Sequence, residues 1–531
     1  MGTRLRRIVL AVTVVTSAAL SCLLLRDEPV PTLPDRDELS MYLLLIDRFE
    51  DGEPQNNHAS GRLDNRKALS VQGGDLAGVE QRLPYLKALG MNAIWLTPVQ
   101  ANVGGAFHGY WIQHFKQVDP RLGSMEDLRR LIKSAHEMGM RVYLDVVCNH
   151  TGPLIGTVEG GYEWNDQGYT LAWHDSTQMP TPEVLQDLDL YHPYGLVKEW
   201  SDPYQILGEL PGGLDDFRTE DPRVLAAMIE IWSWWMEQTG CDGFRVDTVK
   251  HVDMAFWHAW LKAMRQHAIR LRKTDFFIFG EVFAAEDEKC ASYTWPDAEG
   301  NRGFDAVFNF SLATAVRDVF ARKQSVHRLV ESVQNLDLYS EEARGSLLTF
   351  VDNHDKSRFL AAAERDTTAL IRALGFIYAM PGIPVLYYGT EQGFVGGTGP
   401  DWENRECMFA EGWKGANPSG DAFGLTGRVA RRLMELQELR KKYHVLRQGD
   451  LNILHEDTLA NVLVLSRHLG DARAYLLINE GDAVSTVSLP GDPDQCEQWP
   501  TRFFASRTDG DFRLTLPPRH VHLMISDPDL R

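Results

Sequence analysis

Eight short apolar runs, spread over roughly 350 residues, constrain what this chain can fold into more than any other feature. They are MYLLLIDRF (41–49), MNAIWLTP (91–98), MRVYLDVV (140–147), GFRV (243–246), FFIFGE (276–281), FDAVFNF (304–310), LLTFVDNHD (347–355) and GIPVLYY (382–388). They lack the apolar/polar alternation of a half-exposed strand, so each needs cover on both faces. That is the environment of a parallel strand between helices. Helix-like stretches precede several of them. Residues 83–89 stop at Gly90, 124–138 at Gly139 and 232–239 at Gly240, and 369–380 lead into the last run. Repeated helix, stop and apolar strand predict an α/β fold, a (β/α)8 barrel carrying insertions.

The barrel occupies residues 39–150 and 217–424. The largest interruption, 151–216, follows the third run and is rich in Gly, Pro, Tyr and Asp without periodicity. It predicts a small irregular inserted domain. From 425 to 531 the texture changes to runs such as VLVLSRHL, ARAYLLIN, AVSTVSL and HVHLMIS between Gly and Asp turns. These predict a C-terminal antiparallel β-sandwich.

Residues 1–25 have the form of a signal peptide, with Arg4, Arg6 and Arg7 before the apolar IVLAVTVVTSAAL (8–20). Cys22 after Ser21 loosely resembles a lipoprotein signal, and a signal anchor is the other reading of the same run. Export is therefore expected, secreted or periplasmic, with membrane attachment only through this segment. Pro29, Pro31 and Pro34 mark 26–38 as a linker. A formal net charge of -20 argues against nucleic acid or an anionic membrane surface as the main partner. Beyond Cys22, Cys148, Cys241, Cys290, Cys407 and Cys496 are odd in number and widely spaced. They predict neither a disulfide framework nor a zinc site.

In a barrel of this kind the site lies where the strands end. The third run ends with Asp145, Asn149 and His150, and the fourth with Arg245 and Asp247, followed by Lys250 and His251. The fifth ends at Glu281, and the seventh at Asp352, His354 and Asp355. Asp247, Glu281 and Asp355 thus converge on one rim from three strands. Paired carboxylates of this sort perform glycoside hydrolysis, one attacking the anomeric carbon and one protonating the leaving oxygen. Arg245, two residues before Asp247, is expected to lower its pKa and keep it ionised as nucleophile. Glu281, after an apolar run, is expected to be held protonated by burial. Asp355, beside His354, suits binding of sugar hydroxyls. Spacing alone leaves retaining and inverting chemistry open.

DVVCNH (145–150), GFRVDTVKH (243–251), GEVF (280–283) and FVDNHD (350–355), in this order, resemble the four sequence regions of the α-amylase family, family 13 of the glycoside hydrolases. GMNAIWLTP, GGLDDF (212–217) and GIPVLYYGTE (382–391) support the resemblance, which runs from residue 39 to the C-terminus. It implies a retaining mechanism on α-glucosidic bonds, with Asp247 as nucleophile, Glu281 as acid/base and Asp355 as transition-state stabiliser. His108 in HGYW, His150, Arg245, Lys250 and His354 match sugar contacts, and Asp401 and Arg405 in DWENR match donor-side contacts. The resemblance also implies Ca2+, held by Asn149, Asp216 and the His251 carbonyl between barrel and insertion. DGEPQNN (51–57) with GGD (73–75) resembles a second calcium site, built from Asp51, Asn56, Asn57, the Gly73 carbonyl and Asp75. Glu53 departs from that pattern, and His114 stands where relatives carry Asp. The expected activity is endo-hydrolysis of starch, glycogen or maltodextrins by a monomer. A glucanotransferase is the second expectation, disfavoured because the chain ends after one β-domain. An inert membrane-anchored binding subunit is the third, opposed by the presence of all three carboxylates.

Overall fold

The computed structural model describes residues 32–57, 64, 66–397, 399–490, 495–501, 506–508 and 511–530. The signal segment and Cys22 lie outside the described residues. Eight parallel strands form the central sheet: β1 (Met41–Leu44), β2 (Ala93–Leu96), β3 (Arg141–Val146), β4 (Gly243–Val246), β5 (Phe277–Gly280), β6 (Ala306–Val307), β7 (Leu348–Thr349) and β8 (Ile383–Tyr387). Neighbours pair in chain order, β8 returns to β1, and a parallel bridge from Phe308 to Leu348 joins β6 to β7, closing the barrel. The strands are shorter than their apolar runs. In the first, Ile46–Phe49 leaves the strand as a helical turn, which sends Asp47 and Arg48 over the barrel mouth rather than along it.

The glycine stops act as expected. Helix α1 (Met125–Glu137) starts at Ser124, whose hydroxyl accepts the Asp127 N–H, and is followed by Gly139 at φ 68°. Helix α2 (Pro222–Thr239) has Asp221 as its cap, proline in its first position and left-handed Gly240 at its end. Gly243 opens β4 where no larger residue fits: a Cβ there would lie 2.0 Å from the Phe277 carbonyl oxygen.

The insertion holds two short strands, Ile155–Thr157 and Leu171–Trp173, and several single turns. It returns to the barrel through a bridge between His150 and Asp216. The C-terminal part differs from expectation at its start. Residues Arg428–Lys442 and Val445–Gln448 are helical, and the first packs on the barrel helix α3 (Thr367–Ala379), so the sheets begin only at Asp450. A five-stranded and a three-stranded antiparallel sheet then enclose Val464, Leu477, Leu489, Leu514 and Met524, a sandwich core. Cys148, Cys241, Cys290 and Cys407 are buried thiols. No helix among the described residues is long and apolar enough to cross a membrane.

Candidate active site

At the top of the barrel Trp95 from β2 lies 5.3 Å from the Phe308 ring and 6.4 Å from that of Phe279. Arg245 rests on this aromatic layer, its guanidinium 4.8 Å above the Trp95 ring and fully buried. A cation there must be neutralised, and three carboxylates do so. Arg245 Nη1 donates to Asp247 Oδ1 at 2.7 Å and to Asp145 Oδ1 at 2.8 Å, while Nη2 meets Glu281 Oε2 at 2.7 Å. Two of the three strand-end carboxylates read from sequence, Asp247 and Glu281, thus meet on one guanidinium, with Asp145 as its third partner.

The neighbours of this fork are equally defined. Asp145 also accepts from Trp95 Nε1 at 3.0 Å and from the Tyr110 hydroxyl at 2.9 Å, and that hydroxyl lies 2.9 Å from His354 Nε2. His354 Nε2 is 3.0 Å from Asp355 Oδ2, and Arg405 Nη2 reaches Asp355 Oδ1 at 3.2 Å and pairs with Asp401. Thr248, directly after Asp247, is left-handed at φ 48°, and its N–H points to Glu281 Oε2 at 3.2 Å. Such a conformation costs a β-branched residue on the order of 1–3 kcal/mol and is retained where it serves a site.

Above this floor opens a cleft of about 1310 Å3. His108, His150, Asp247, Lys250, Glu281, His354, Asp355, Asp401 and Arg405 all line it, so the structure unites every catalytic and substrate candidate, with Arg245 beneath. Trp200 from the insertion and Phe283 add half-exposed aromatic faces at the rim, and the Lys250 ammonium sits between them, 5.7 and 5.8 Å from the two rings. Phe283 closes the motif GEVF without a role having been read for it, and Trp200 lies in no motif. Asp145 carried a signal, as the first residue of DVVCNH, yet its task as the second anchor of Arg245 depends on pairing between β3 and β4. His114 lies on Ile112–Val118, outside the residues that line the cleft.

Burial sets the electrostatics. It pushes the Asp247 carboxyl well above its ordinary range; Arg245 opposes this, and Glu281 and Asp145 add to it. The expected lowering by Arg245 is thus present but outweighed. Burial also raises Asp355 against Arg405, and lifts Asp145 to about 6 against Arg245. His150 is driven down to about 3, and His108 and His354 well below the usual imidazole range, mainly by burial. Three neutral imidazoles around a cleft suit hydroxyl groups better than an anion.

The candidate cation positions meet a test of donor chemistry in part, through unpartnered oxygens on Asn149, Asp51, Asn56 and Asn57, whereas both Asp216 oxygens already accept from N–H donors. Asn149 Oδ1 is buried without a partner, while its Nδ2 donates to Asp216 Oδ1. Asp216 Oδ2 is also held by His192 Nδ1 at 2.6 Å. Burial opposes charge on both partners: it lifts Asp216 to about 7, and against it Asp216 and Glu220 raise His192 to about 9. The His251 ring accepts no part in this; its Nδ1 lies 2.8 Å from the Ile206 carbonyl of the insertion. At the other loop Asp51 Oδ1, Asn56 Oδ1 and Asn57 Oδ1 are buried and unpartnered, and Gly73 packs against the Asn57 amide. Orphaned amide and carboxylate oxygens are what a hard cation takes. Asp75 differs: its oxygens accept Gly52, Glu53 and Gly78 N–H groups and the Asn56 amide, which makes it an organiser of the loop. Among the described residues no three His, Cys, Asp or Glu side chains cluster as a metal site, so each position would combine a single carboxylate with amide and carbonyl oxygens.

A closed barrel with an insertion after its third strand, a C-terminal sandwich and a rim of acidic groups about one arginine defines a class of carbohydrate-active architecture. The model of the alpha-amylase catalytic domain matches residues 43–421, and the chain belongs to that family. It is 32% identical over 444 residues to an alpha-amylase of Streptomyces lividans, a match that takes in 71% of this chain and 47% of that protein. It thus spans about half the length of that relative. A solved alpha-amylase of Anoxybacillus is 29% identical with a TM-score of 0.76, covering 93% of this chain and 98% of that one. A cyclomaltodextrin glucanotransferase with a three-domain distribution is 26% identical with a TM-score of 0.75, covering 93% and 99%. The last finding removes the argument that one C-terminal domain disfavours a glucanotransferase.

Proposed function

We propose that this chain is a retaining glycoside hydrolase that cleaves internal α-1,4-glucosidic bonds of starch, glycogen or maltodextrins. The observation that carries the reading is the Arg245 fork, which holds Asp247 and Glu281 on its two terminal nitrogens at 2.7 Å each. Two carboxyl groups on one guanidinium are compatible with the short spacing (~5 Å) of retaining enzymes, and the four sequence regions support the choice of retention. Arg245 engages Asp247 Oδ1, so Oδ2 attacks the anomeric carbon as Glu281 gives its proton to the departing glycosidic oxygen. The bond to the leaving sugar breaks as the glycosyl–aspartate ester forms. Glu281, now ionised, takes a proton from water, whose oxygen attacks the same carbon and releases Asp247. Burial that raises the proton affinity of Asp247 also strengthens it as a nucleophile once ionised. Asp355, fixed by Arg405 and His354, faces the positive charge that develops on the sugar ring.

Calcium is part of the reading. Asn149, Asp216 and the His251 carbonyl would hold one ion, and Asp51, Asn56, Asn57 and the Gly73 carbonyl, organised by Asp75, a second. Such an ion supplies a structural pin between loops and no chemistry at the reacting carbon. Export through residues 1–25 and action as a monomer complete the proposal, with a lipid on Cys22 as the alternative to release. Labelling of Cys22 with a lipid precursor and size-exclusion chromatography test them.

The test of activity is product analysis on soluble starch and maltoheptaose. Short linear maltodextrins from the wild type, and a ~10²–10⁴-fold slower Glu281→Gln variant, are expected. Full activity in Glu281→Gln would sink the acid assignment. A glucanotransferase is the second reading, favoured by the 99% coverage of a three-domain glucanotransferase. Cyclic or elongated products would establish it.

A further inference from the structure

Arg48 is the second fully buried arginine near the cleft, and no motif gives it a task. It sits in the helical turn after β1, with Nε on Asp47 Oδ2 at 2.8 Å. Its Nη2 donates to the Ala68 and Ser70 carbonyls at 2.8 and 3.0 Å, and its Nη1 donates to the backbone carbonyl of Arg405 at 2.8 Å. Its guanidinium lies 3.9 Å over the Phe107 ring, the ring that Arg405 approaches to 5.8 Å. Asp47 in turn accepts the Gln72 and Gly73 N–H groups.

The segment so gripped is small and central. Asn404 has its carbonyl on the Tyr387 hydroxyl at 3.0 Å, and Glu406 is paired with buried Arg358 at 3.1 Å. Arg405 lies between these anchors, and its carbonyl is held by Arg48. The Arg405 side chain then fixes Asp355 and Asp401 and donates to the His354 carbonyl at 3.1 Å. Arg358 and Tyr387 hold the residues on either side of Arg405, while Arg48 holds Arg405 itself. A guanidinium is the side chain suited to this, because one rigid fork binds a carboxylate and three carbonyls at once.

We propose that Arg48 is a positioning residue for glycosidic cleavage, acting through Arg405 on the placement of Asp355. It contacts no substrate. This rests on the functional reading above only in that Asp355 acts during the cleavage step. The expected signature is a loss in kcat larger than any change in KM, because Asp355 is assigned to the transition state.

The experiment is a double-mutant cycle on maltoheptaose hydrolysis with Arg48→Gln and Arg405→Ala, singly and combined, each with its melting temperature. Arg48→Gln is expected to lower kcat at least tenfold in the wild-type background and less than twofold in the Arg405→Ala background. Equal losses in both backgrounds, or no loss in either, would overturn the proposal, since a residue acting only on stability does not lose its effect when Arg405 is removed. Should Arg48→Gln fail to accumulate, Arg48→Lys keeps the charge beside Asp47 but cannot span all four acceptors, and the same cycle is read with it. Absence of turnover by the wild type would count against the functional reading; additive losses in an active enzyme count against the role of Arg48 alone.

Discussion

Asp145→Asn should move the acidic limb of the pH–rate profile to lower pH. Asp145 Oδ1 and Asp247 Oδ1 sit on the same Arg245 nitrogen at 2.8 and 2.7 Å, so they are no more than about 5.5 Å apart. Two negative charges at that distance repel by about 3 kcal/mol at an effective dielectric constant near 20, or about 2 pH units. The repulsion raises Asp247, and Asp145 further competes with it for Arg245. Both effects vanish in the Asn variant, so Asp247 ionises at lower pH. Asp145 itself titrates near 6, which confines its influence to the range where it is charged. A downward shift of between about half a unit and 2 units follows. The substitution also has a structural cost. Asp145 accepts from Trp95, Tyr110 and Arg245, whereas Asn offers one oxygen and an NH2 that meets at least one of these donors. An unmet buried donor costs about 1–3 kcal/mol. Arg245 keeps Asp247 and Glu281, so the larger penalty of an uncompensated buried charge does not arise. The assay is kcat/KM on maltoheptaose across pH, with urea denaturation alongside. An acidic limb that stays in place or moves up in a folded variant would refute the shared-guanidinium account.

Two further expectations concern the frame around the site. Removal of divalent cations by a chelator should lower the melting temperature and speed proteolysis within 151–216, and Asn149→Ala should abolish the response of that segment to added Ca2+; a melting curve indifferent to chelation would remove calcium from the account. Gly243→Ala should cost more than about 3 kcal/mol, because overpacking by a Cβ 2.0 Å from the Phe277 carbonyl forces β4 and β5 apart and backbone cannot yield as a side chain does; unchanged urea denaturation would contradict the register.

How much of this could be read in the sequence follows from the range of the interaction concerned. The eight strands were legible because burial on both faces writes itself into consecutive residues, and the helix ends because Gly139 and Gly240 mark left-handed stops that other residues resist. The rim carboxylates were legible because barrel topology carries every strand end to one face, whatever lies between. The direction of the Asp247 shift was not. Arg245 is visible two residues away, but the burial that outweighs it comes from strands and loops far off in the chain. Trp200 and Phe283 escaped for a similar reason, since an aromatic in an aperiodic insertion or after a catalytic glutamate looks the same in sequence whether it packs inward or faces a cleft. The start of the C-terminal sheets was misplaced because composition changes at about residue 425 while the helix Arg428–Lys442 still packs on the barrel. Arg48 is the clearest case. In MYLLLIDRF it reads as a charge at the end of a buried strand, and only the turn at Ile46–Phe49 carries it to the carbonyl of Arg405, 357 residues on. A cation buried that deeply persists only if several acceptors meet it, and the acceptors identify which loop it holds.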